Sequence, residues 1–274
     1  MPDIRLIALD LDGTLLNSDK ELSPRNRKAL EMASACGITV VPATGRFYKG
    51  IPEVIRDLSF VRYVISINGA QVSDIRTGES IYSTDIPVDE GVAFYEYLDT
   101  LPVIYDAYAD DWGYITEDMQ QRITEYGMLP FQIQMMNQLR SAVPELKAFL
   151  REGTHRLQKM QVFVRDPAYR DRLIMEFTER YPQFAVSASL PNNIEVNSRD
   201  ADKGRALYAL ADHLGIARTQ TMAFGDGRND LTMLRAAGIG VVMANGHPDV
   251  KATADMVAES CDADGVAKVI ETLL

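Results

Sequence analysis

The sequence predicts an α/β protein, a parallel-sheet core into which a second, α+β domain is inserted. Short apolar runs alternate with helix-length segments at both ends of the chain. Such alternation marks βαβ units and a parallel sheet. Several of these runs end in a polar cluster, as strands bordering a shared crevice do. Between residues 86 and 189 the texture changes to aromatic-rich stretches with two-residue alternation, the pattern of half-buried antiparallel strands.

Taken in order, residues 4–9 read as a buried strand. Residues 23–36 read as a helix opened by Ser23-Pro24, an N-cap followed by a first-turn proline. Residues 38–43 form the next strand. Residues 62–70 form a third, ending in Asn-Gly, and 71–86 a hairpin turning at Thr77-Gly78. Past Pro87, residues 102–115 read as a hairpin around 110–113, 157–164 as a strand, 167–180 as a helix and 184–189 as a strand. The α/β rhythm returns with a helix at 203–214, a strand at 220–224 and the loop "GDGRND". A helix at 230–236, a strand at 239–243 and helices near 248–254 and 264–273 complete it. The expected division is therefore 1–85 and 190–274 for the core and 86–189 for the insert.

At 274 residues with 46% hydrophobic content the chain has material for a real core. A net charge of −11 argues against a phosphate-backbone binder, which rests on clustered Lys and Arg. It leaves room for a small anionic substrate met by a local cationic pocket. Cys36 and Cys261 lie far apart with no metal or redox spacing, and no run approaches the ~20 apolar residues of a membrane span. The expectation is a reduced, cytoplasmic protein without a nucleic-acid or membrane partner. Its oligomeric state is not legible.

The polar clusters at the strand ends carry the chemistry. Asp10 and Asp12 follow the first strand, Thr44, Gly45 and Arg46 the second, Asn68 and Gly69 the third. Asp226, Asn229 and Asp230 follow a later strand, and Lys203 opens the helix after the insert. Carboxylates crowded into one crevice repel unless a cation joins them, and hard oxygen ligands suit Mg²⁺ beside phosphate oxygens. A carboxylate attacks phosphorus once metal and lysine offset the charges, giving an aspartyl-phosphate. The Thr44 hydroxyl, nearby backbone amides and the Lys203 ammonium suit phosphoryl oxygens.

Read singly, these clusters have ordinary explanations. Asp10 and Asp12 suit a polar strand end, and a calcium loop counted from Asp10 fails because its sixth position is Leu15 where glycine is needed. Thr44-Gly45-Arg46 suits a turn, Lys203-Gly204 a helix start, and "GDGRND" a helix cap. His155, His213 and His247 have no metal-ligand spacing, and Met222, Met233 and Met243 read as packing. P-loop, nucleophile-elbow, zinc-protease and dinucleotide patterns are absent.

Taken in order, "DLDGT" (10–14), "ATGR" (43–46), "DKG" (202–204) and "GDGRND" (225–230) resemble the four motifs of the haloacid dehalogenase-like phosphohydrolases. "INGA" (67–70) and "NGHPDVKATADMVAES" (245–260) resemble its Cof-like branch. The resemblance spans both core segments and implies a Rossmann-like core with an α+β cap. It implies a Mg²⁺-dependent phosphatase acting on a small phosphorylated metabolite, a sugar phosphate or phosphorylated cofactor, whose leaving group the cap selects. Asp10 would be nucleophile and metal ligand. Asp12 would be general acid and then base, with its backbone carbonyl on the metal. Asp226 would complete the protein ligands with Asp230 behind it, and Thr44, Gly45, Lys203 and Asn229 would meet phosphate.

Arg46 and Asn68 are candidate substrate contacts, as are Tyr105, Tyr108, Trp112 and Lys159 of the insert. Two places depart from the family pattern. Arg228 stands where Glu or a neutral residue is more familiar, and "MANG" replaces the commoner "MGNA". A phosphomutase and a low-turnover phosphometabolite-binding module remain the alternative outcomes.

Overall fold

A computed structural model describes residues 3–128 and 130–274 of the chain. It contains two compact units, Met1–Ser83 with Ala201–Leu274, and Thr84–Asp200. The first begins with β1 (Leu6–Leu9), all four residues of which are buried. A strand covered on both faces belongs in a parallel sheet flanked by helices. In α1 (Pro24–Ala35) the Ser23 hydroxyl accepts from the Asn26 backbone N–H at 3.0 Å, and Pro24 occupies a position that needs no N–H. Asn26 is buried yet satisfied on both sides. It donates to the Leu15 carbonyl at 3.2 Å and accepts from the Ala267 N–H at 3.0 Å, tying the segment after β1 to the C-terminal region.

Next to β1 and parallel to it runs β2 (Thr39–Pro42). After the short α2 (Glu53–Arg56), β3 (Tyr63–Ser66), β4 (Gln71–Asp74) and β5 (Glu79–Ser83) form a three-stranded antiparallel sheet. Gly78 turns the last hairpin at φ +76°, a conformation that glycine adopts without steric cost.

The second unit contains α3 (Val88–Leu98), β6 (Ile104–Ala109), β7 (Trp112–Thr116), α4 (Glu117–Arg122) and α5 (Pro130–Gln138). It continues with β8 (Arg140–Val143), α6 (Leu146–Glu152), β9 (Leu157–Phe163), α7 (Pro167–Arg180), β10 (Phe184–Ser187) and β11 (Asn193–Ser198). Its sheet runs β10-β11-β9-β6-β7-β8, antiparallel except for β7 beside β8. Asp110 and Asp111 both have positive φ, as a two-residue hairpin turn of mirror-image type needs. Trp112 and Gly113, expected in that turn, lie in the strand instead.

The return to the first unit comes later than the expected residue 190. β11 pairs with both β9 and β10, so residues 193–198 extend the insert's sheet. "NIEVNS" alternates Ile194 and Val196 with polar residues, as a half-buried strand does, and its pairing assigns it to the insert. The helices α3 to α6 and strand β8 add to the elements the sequence predicts for the insert; in α3, Gly91, Val92, Tyr95 and Leu98 are buried at helical spacing.

From Ala201 the chain forms α8 (Lys203–His213), β12 (Thr221–Gly225), α9 (Leu231–Ala236), β13 (Ile239–Met243), α10 (Pro248–Lys251), β14 (Met256–Ala258) and α11 (Gly265–Glu271). The unread β14 pairs with β13, giving a parallel sheet in the order β14-β13-β12-β1-β2. β1 has β2 on one side and β12 on the other. The strand order therefore reverses there, and a crevice opens beyond the carboxyl ends of β1 and β12. Among the described residues no helix is long and apolar enough to cross a membrane.

Candidate active site

The sheet places Asp10 directly after β1 and Asp226 directly after its neighbour β12, so two carboxylates meet because two parallel strands end together. The Asp10 N–H donates to the Phe224 carbonyl at 3.0 Å, extending the ladder to the edge of the crevice. Asp230, at the start of α9, is fully buried. Ligand oxygens of Asp10, Asp226 and Asp230 lie within 4.8 Å of one another.

Lys203, at the first turn of α8 and 1% exposed, reaches into this cluster. Its ammonium donates to Asp10 Oδ1 at 2.7 Å and to Asp230 Oδ1 at 2.6 Å. The other Asp230 oxygen accepts from the Asp226 and Gly227 N–H groups at 3.0 and 2.9 Å. Asp230 is thus spent on holding the loop and the lysine, which suits a supporting role. Asp226 Oδ1 accepts from the Thr14 hydroxyl at 3.0 Å.

With all three carboxylates ionised, the single ammonium leaves two negative charges uncompensated. Burial, followed by the charge of Asp230, pushes the Asp10 carboxyl up to about 8 against the pull of Lys203. Burial and Asp230 raise Asp226 to about 6. Burial by itself would lower Lys203, but the charges of Asp10 and Asp230 hold it above its ordinary value. A cluster of hard oxygen donors short of two positive charges fits a divalent cation, with Asp10 and Asp226 as the available carboxylates.

Asp12 does not share this cluster. Its carboxylate lies in the grip of Arg46, whose Nε and Nη2 donate at 2.9 and 3.0 Å, with Lys20 at 3.1 Å. Burial works to raise the Asp12 pKa, yet the Arg46 and Lys20 contacts bring it below the ordinary value. Arg46 is therefore placed on the Asp12 carboxylate.

The third group gathers around the Thr44 loop. Thr44 is 1% exposed and its hydroxyl accepts from the Arg46 N–H at 3.2 Å. Asn68 sits at positive φ, its N–H on the Thr44 carbonyl at 3.0 Å and its side-chain oxygen 3.5 Å from the Asn229 amide nitrogen. A Cβ on Gly45 would come within 2.7 Å of Asn68 Oδ1. Gly69, at φ +88°, lets the chain pass so close to the start of α8 that a Cβ would meet the Asp202 carbonyl carbon at 2.4 Å. That passage brings Asn68 and Lys203 to one crevice.

Four contributors escaped the sequence reading. Thr14 lies inside the first motif, and its hydroxyl orients Asp226. Gly13 (φ +87°) runs so close to Asp226 that a Cβ would fall 2.6 Å from its Oδ2. Asn245 donates to the Gly13 carbonyl at 2.7 Å and accepts from the Cys261 N–H at 2.9 Å, fixing the same turn. "MANG" thus keeps the asparagine that does this. Lys20 carries no sequence signal at all. The unfamiliar Arg228 points to Asp249 at 2.8 Å on the surface.

In the insert, the Tyr105 hydroxyl bonds Asp99 at 2.6 Å and its ring joins the apolar core. Tyr108 and Lys159 share the opposite face, the ammonium 5.1 Å from the ring centroid. The Trp112 indole N–H donates to Ser141 at 2.9 Å. Met222, Met233 and Met243 are fully buried packing residues. His155 stacks on Phe149, while His247 caps α10.

With this geometry established, comparison with known proteins gives a consistent picture. The family described as haloacid dehalogenase-like hydrolase matches residues 7–270. Phosphatase YwpJ of Bacillus subtilis (strain 168) is 30% identical, over 99% of this chain and 100% of its own. From the same organism, 5-amino-6-(5-phospho-D-ribitylamino)uracil phosphatase YcsE is 29% identical, over 98% of this chain and 95% of its own. A haloacid dehalogenase-like hydrolase from Bacteroides thetaiotaomicron superposes with a TM-score of 0.83 at 30% identity, covering 99% of this chain and 100% of that one.

Proposed function

The chain belongs to the haloacid dehalogenase-like hydrolases, and from that premise we propose that it is a Mg²⁺-dependent phosphatase of small phosphomonoesters. One observation carries the reading: buried Lys203 bridges Asp10 and Asp230 beside Asp226, where two parallel strands end. Mg²⁺ would be held by the Asp10 and Asp226 carboxylates and the Asp12 backbone carbonyl. It would supply charge neutralisation for an incoming phosphate.

Asp10 acts as the nucleophile. The Asp10 carboxylate oxygen not bonded to Lys203 bonds to phosphorus while the bond from phosphorus to the leaving oxygen breaks, and that oxygen takes a proton from Asp12, which first leaves the Arg46 and Lys20 pair and is protonated from solvent. Asp12, now ionised, takes a proton from water as the water attacks phosphorus. The bond to Asp10 breaks and inorganic phosphate leaves. Lys203, Thr44, the Gly45 backbone and Asn229 hold the phosphoryl oxygens throughout. Asp230 keeps Lys203 and the Asp226 loop in place.

The substrate is a sugar phosphate or a phosphorylated cofactor, and the leaving group is its dephosphorylated alcohol. The named activity of YcsE, on a phosphoribityl-bearing pyrimidine, lies within that class. The test is phosphate release from a panel of phosphosugars, phosphorylated cofactors and 4-nitrophenyl phosphate. Release that requires Mg²⁺ and is lost in Asp10→Asn is the expected result. Release unaffected by EDTA, or retained by the variant, would overturn the reading.

A further inference from the structure

The turn after β1 is built around a glycine, and its backbone carbonyls are unequally occupied. The Asp10 carbonyl accepts from the Leu15 N–H at 3.2 Å and the Leu11 carbonyl from the Leu16 N–H at 2.9 Å. The Gly13 carbonyl accepts from the Asn245 side-chain amide at 2.7 Å. Among the described residues no donor reaches the Asp12 carbonyl, the one given to the metal above. The direction of a carbonyl follows from the backbone angles beside it, and glycine restricts those angles least. Gly13, at φ +87°, lies between the Asp12 carbonyl and the carbonyl that Asn245 holds. Fixing the second peptide therefore restricts the first.

The turn that carries Asn245 also holds the other ligand loop. It follows β13 and is closed by the Gly246 N–H on the Met243 carbonyl at 2.8 Å. The His247 N–H then donates to the Asp226 carbonyl at 2.9 Å, and a Cβ on Gly246 would approach that same oxygen at 3.0 Å. One turn thus grips the backbone of both Gly13 and Asp226. The Asn245 amide is itself oriented, because its oxygen accepts from the Cys261 N–H at 2.9 Å. Asn245 is exposed, yet both ends of its amide are bonded to protein backbone.

We propose that Asn245 is a positioning residue for the divalent cation, holding the Asp12 carbonyl in place relative to Asp226 by tying the Gly13 peptide to the turn that grips the Asp226 loop. The inference rests on the cation site proposed above. The side-chain hydrogen bonds of Asn245 go to Gly13 and Cys261 and not to a carboxylate, so its effect runs through the backbone. A nearby tie supplies the contrast. Ser18 donates to Asp262 from its N–H at 2.8 Å and from its hydroxyl at 2.7 Å, joining the segment after β1 to the C-terminal region without holding a peptide beside a ligand.

The experiment titrates Mg²⁺ into the full chain by calorimetry and separately measures kcat on 4-nitrophenyl phosphate at saturating Mg²⁺. In Asn245→Ala, and in Asn245→Leu, which keeps the bulk and removes the amide, Mg²⁺ affinity should fall about 10–100-fold, the range for groups that orient the ligands of a metal. At saturating Mg²⁺ kcat should fall far less, because excess metal refills the site. Ser18→Ala should bind Mg²⁺ as the wild type does, even where its melting temperature drops. Melting curves without Mg²⁺ establish that each variant is folded. Unchanged affinity in either Asn245 variant, or an equal loss in Ser18→Ala, overturns the positioning role while leaving the metal site intact. A wild type that binds no Mg²⁺ overturns the metal site and this inference with it.

Discussion

The two units of this chain each bury ionic groups, by different constructions. In the core, charge collects at the ends of parallel strands, where Asp10, Asp226, Asp230 and Lys203 converge from separate segments. In the insert, charge lies across one sheet face in rows set by register. Asp106, Gln161 and Glu195 are cross-strand partners, as are Tyr108, Lys159 and Asn197. The alternate rows, such as Ala107, Met160 and Val196, form the apolar core. The insert's pairs balance in charge: Arg140 with Asp106 at 2.7 Å and Lys159 with Glu195 at 2.8 Å. The core cluster does not balance. The unbalanced cluster suits a cation, while the balanced pairs tie neighbouring strands of one sheet together.

Substitutions divide along that line. The largest effect belongs to Asp10→Asn, which removes the proposed nucleophile and should cost on the order of 10³-fold or more in kcat with the fold intact. Stopped phosphate assays and a melting curve check both halves. The counterpart in the insert is Asp106→Asn. It removes the carboxylate charge 2.7 Å from Arg140, whose side chain is 4% exposed, and should cost roughly 3–5 kcal/mol in stability. Denaturant unfolding measures that cost, and Mg²⁺ titration should find affinity unchanged in the folded protein. A weakened metal site in this variant would break the comparison.

Gly13→Ala sharpens the core side. Its Cβ would meet Asp226 Oδ2 at 2.6 Å in a backbone conformation strained for alanine. Mg²⁺ affinity should fall about 10–100-fold, the cost typical of disturbing a ligand's support, as calorimetry would record.

A pH series tests the charge imbalance itself. Asp10 and Asp226 have folded-state pKa values raised above the ordinary 3.8. Their contribution to stability is thus complete below that value and is lost as pH rises through about 6 for Asp226 and about 8 for Asp10. Metal binding requires the deprotonated forms and removes the repulsion. The rise in melting temperature produced by Mg²⁺ should therefore be larger at pH 8 than at pH 5, and Asp226→Asn should flatten the difference. The smallest effect is expected at Arg25, whose pair with Glu271 at 2.7 Å is exposed; Arg25→Gln should shift the melting temperature negligibly.

The same contrast explains what the sequence revealed. Core strands such as LIAL and IGVVM are continuous apolar runs capped by polar residues, so the elements and the residues bordering the crevice are both visible in order. Asp10, Lys203, Asp226 and Asp230 could be grouped because strand ends of a parallel sheet share one side. Lys20 could not, since its contact with Asp12 depends on the shape of the turn at 17–21. In the insert, Tyr105 and Tyr108 look alike in sequence, yet their odd spacing along β6 sends them to opposite faces. β11 carries strand alternation at Ile194 and Val196, but which unit it joins is set by its pairing with β9 and β10. Register is a long-range property and leaves little local trace.

The most direct test of the central claim is to quench the enzyme in acid while it turns over 4-nitrophenyl phosphate with Mg²⁺, and to map the phosphorylated peptide by mass. The account predicts a phosphoryl adduct on Asp10 that is absent from Asp10→Asn and from EDTA-treated protein. Turnover with no adduct, or an adduct on a different residue, would contradict it.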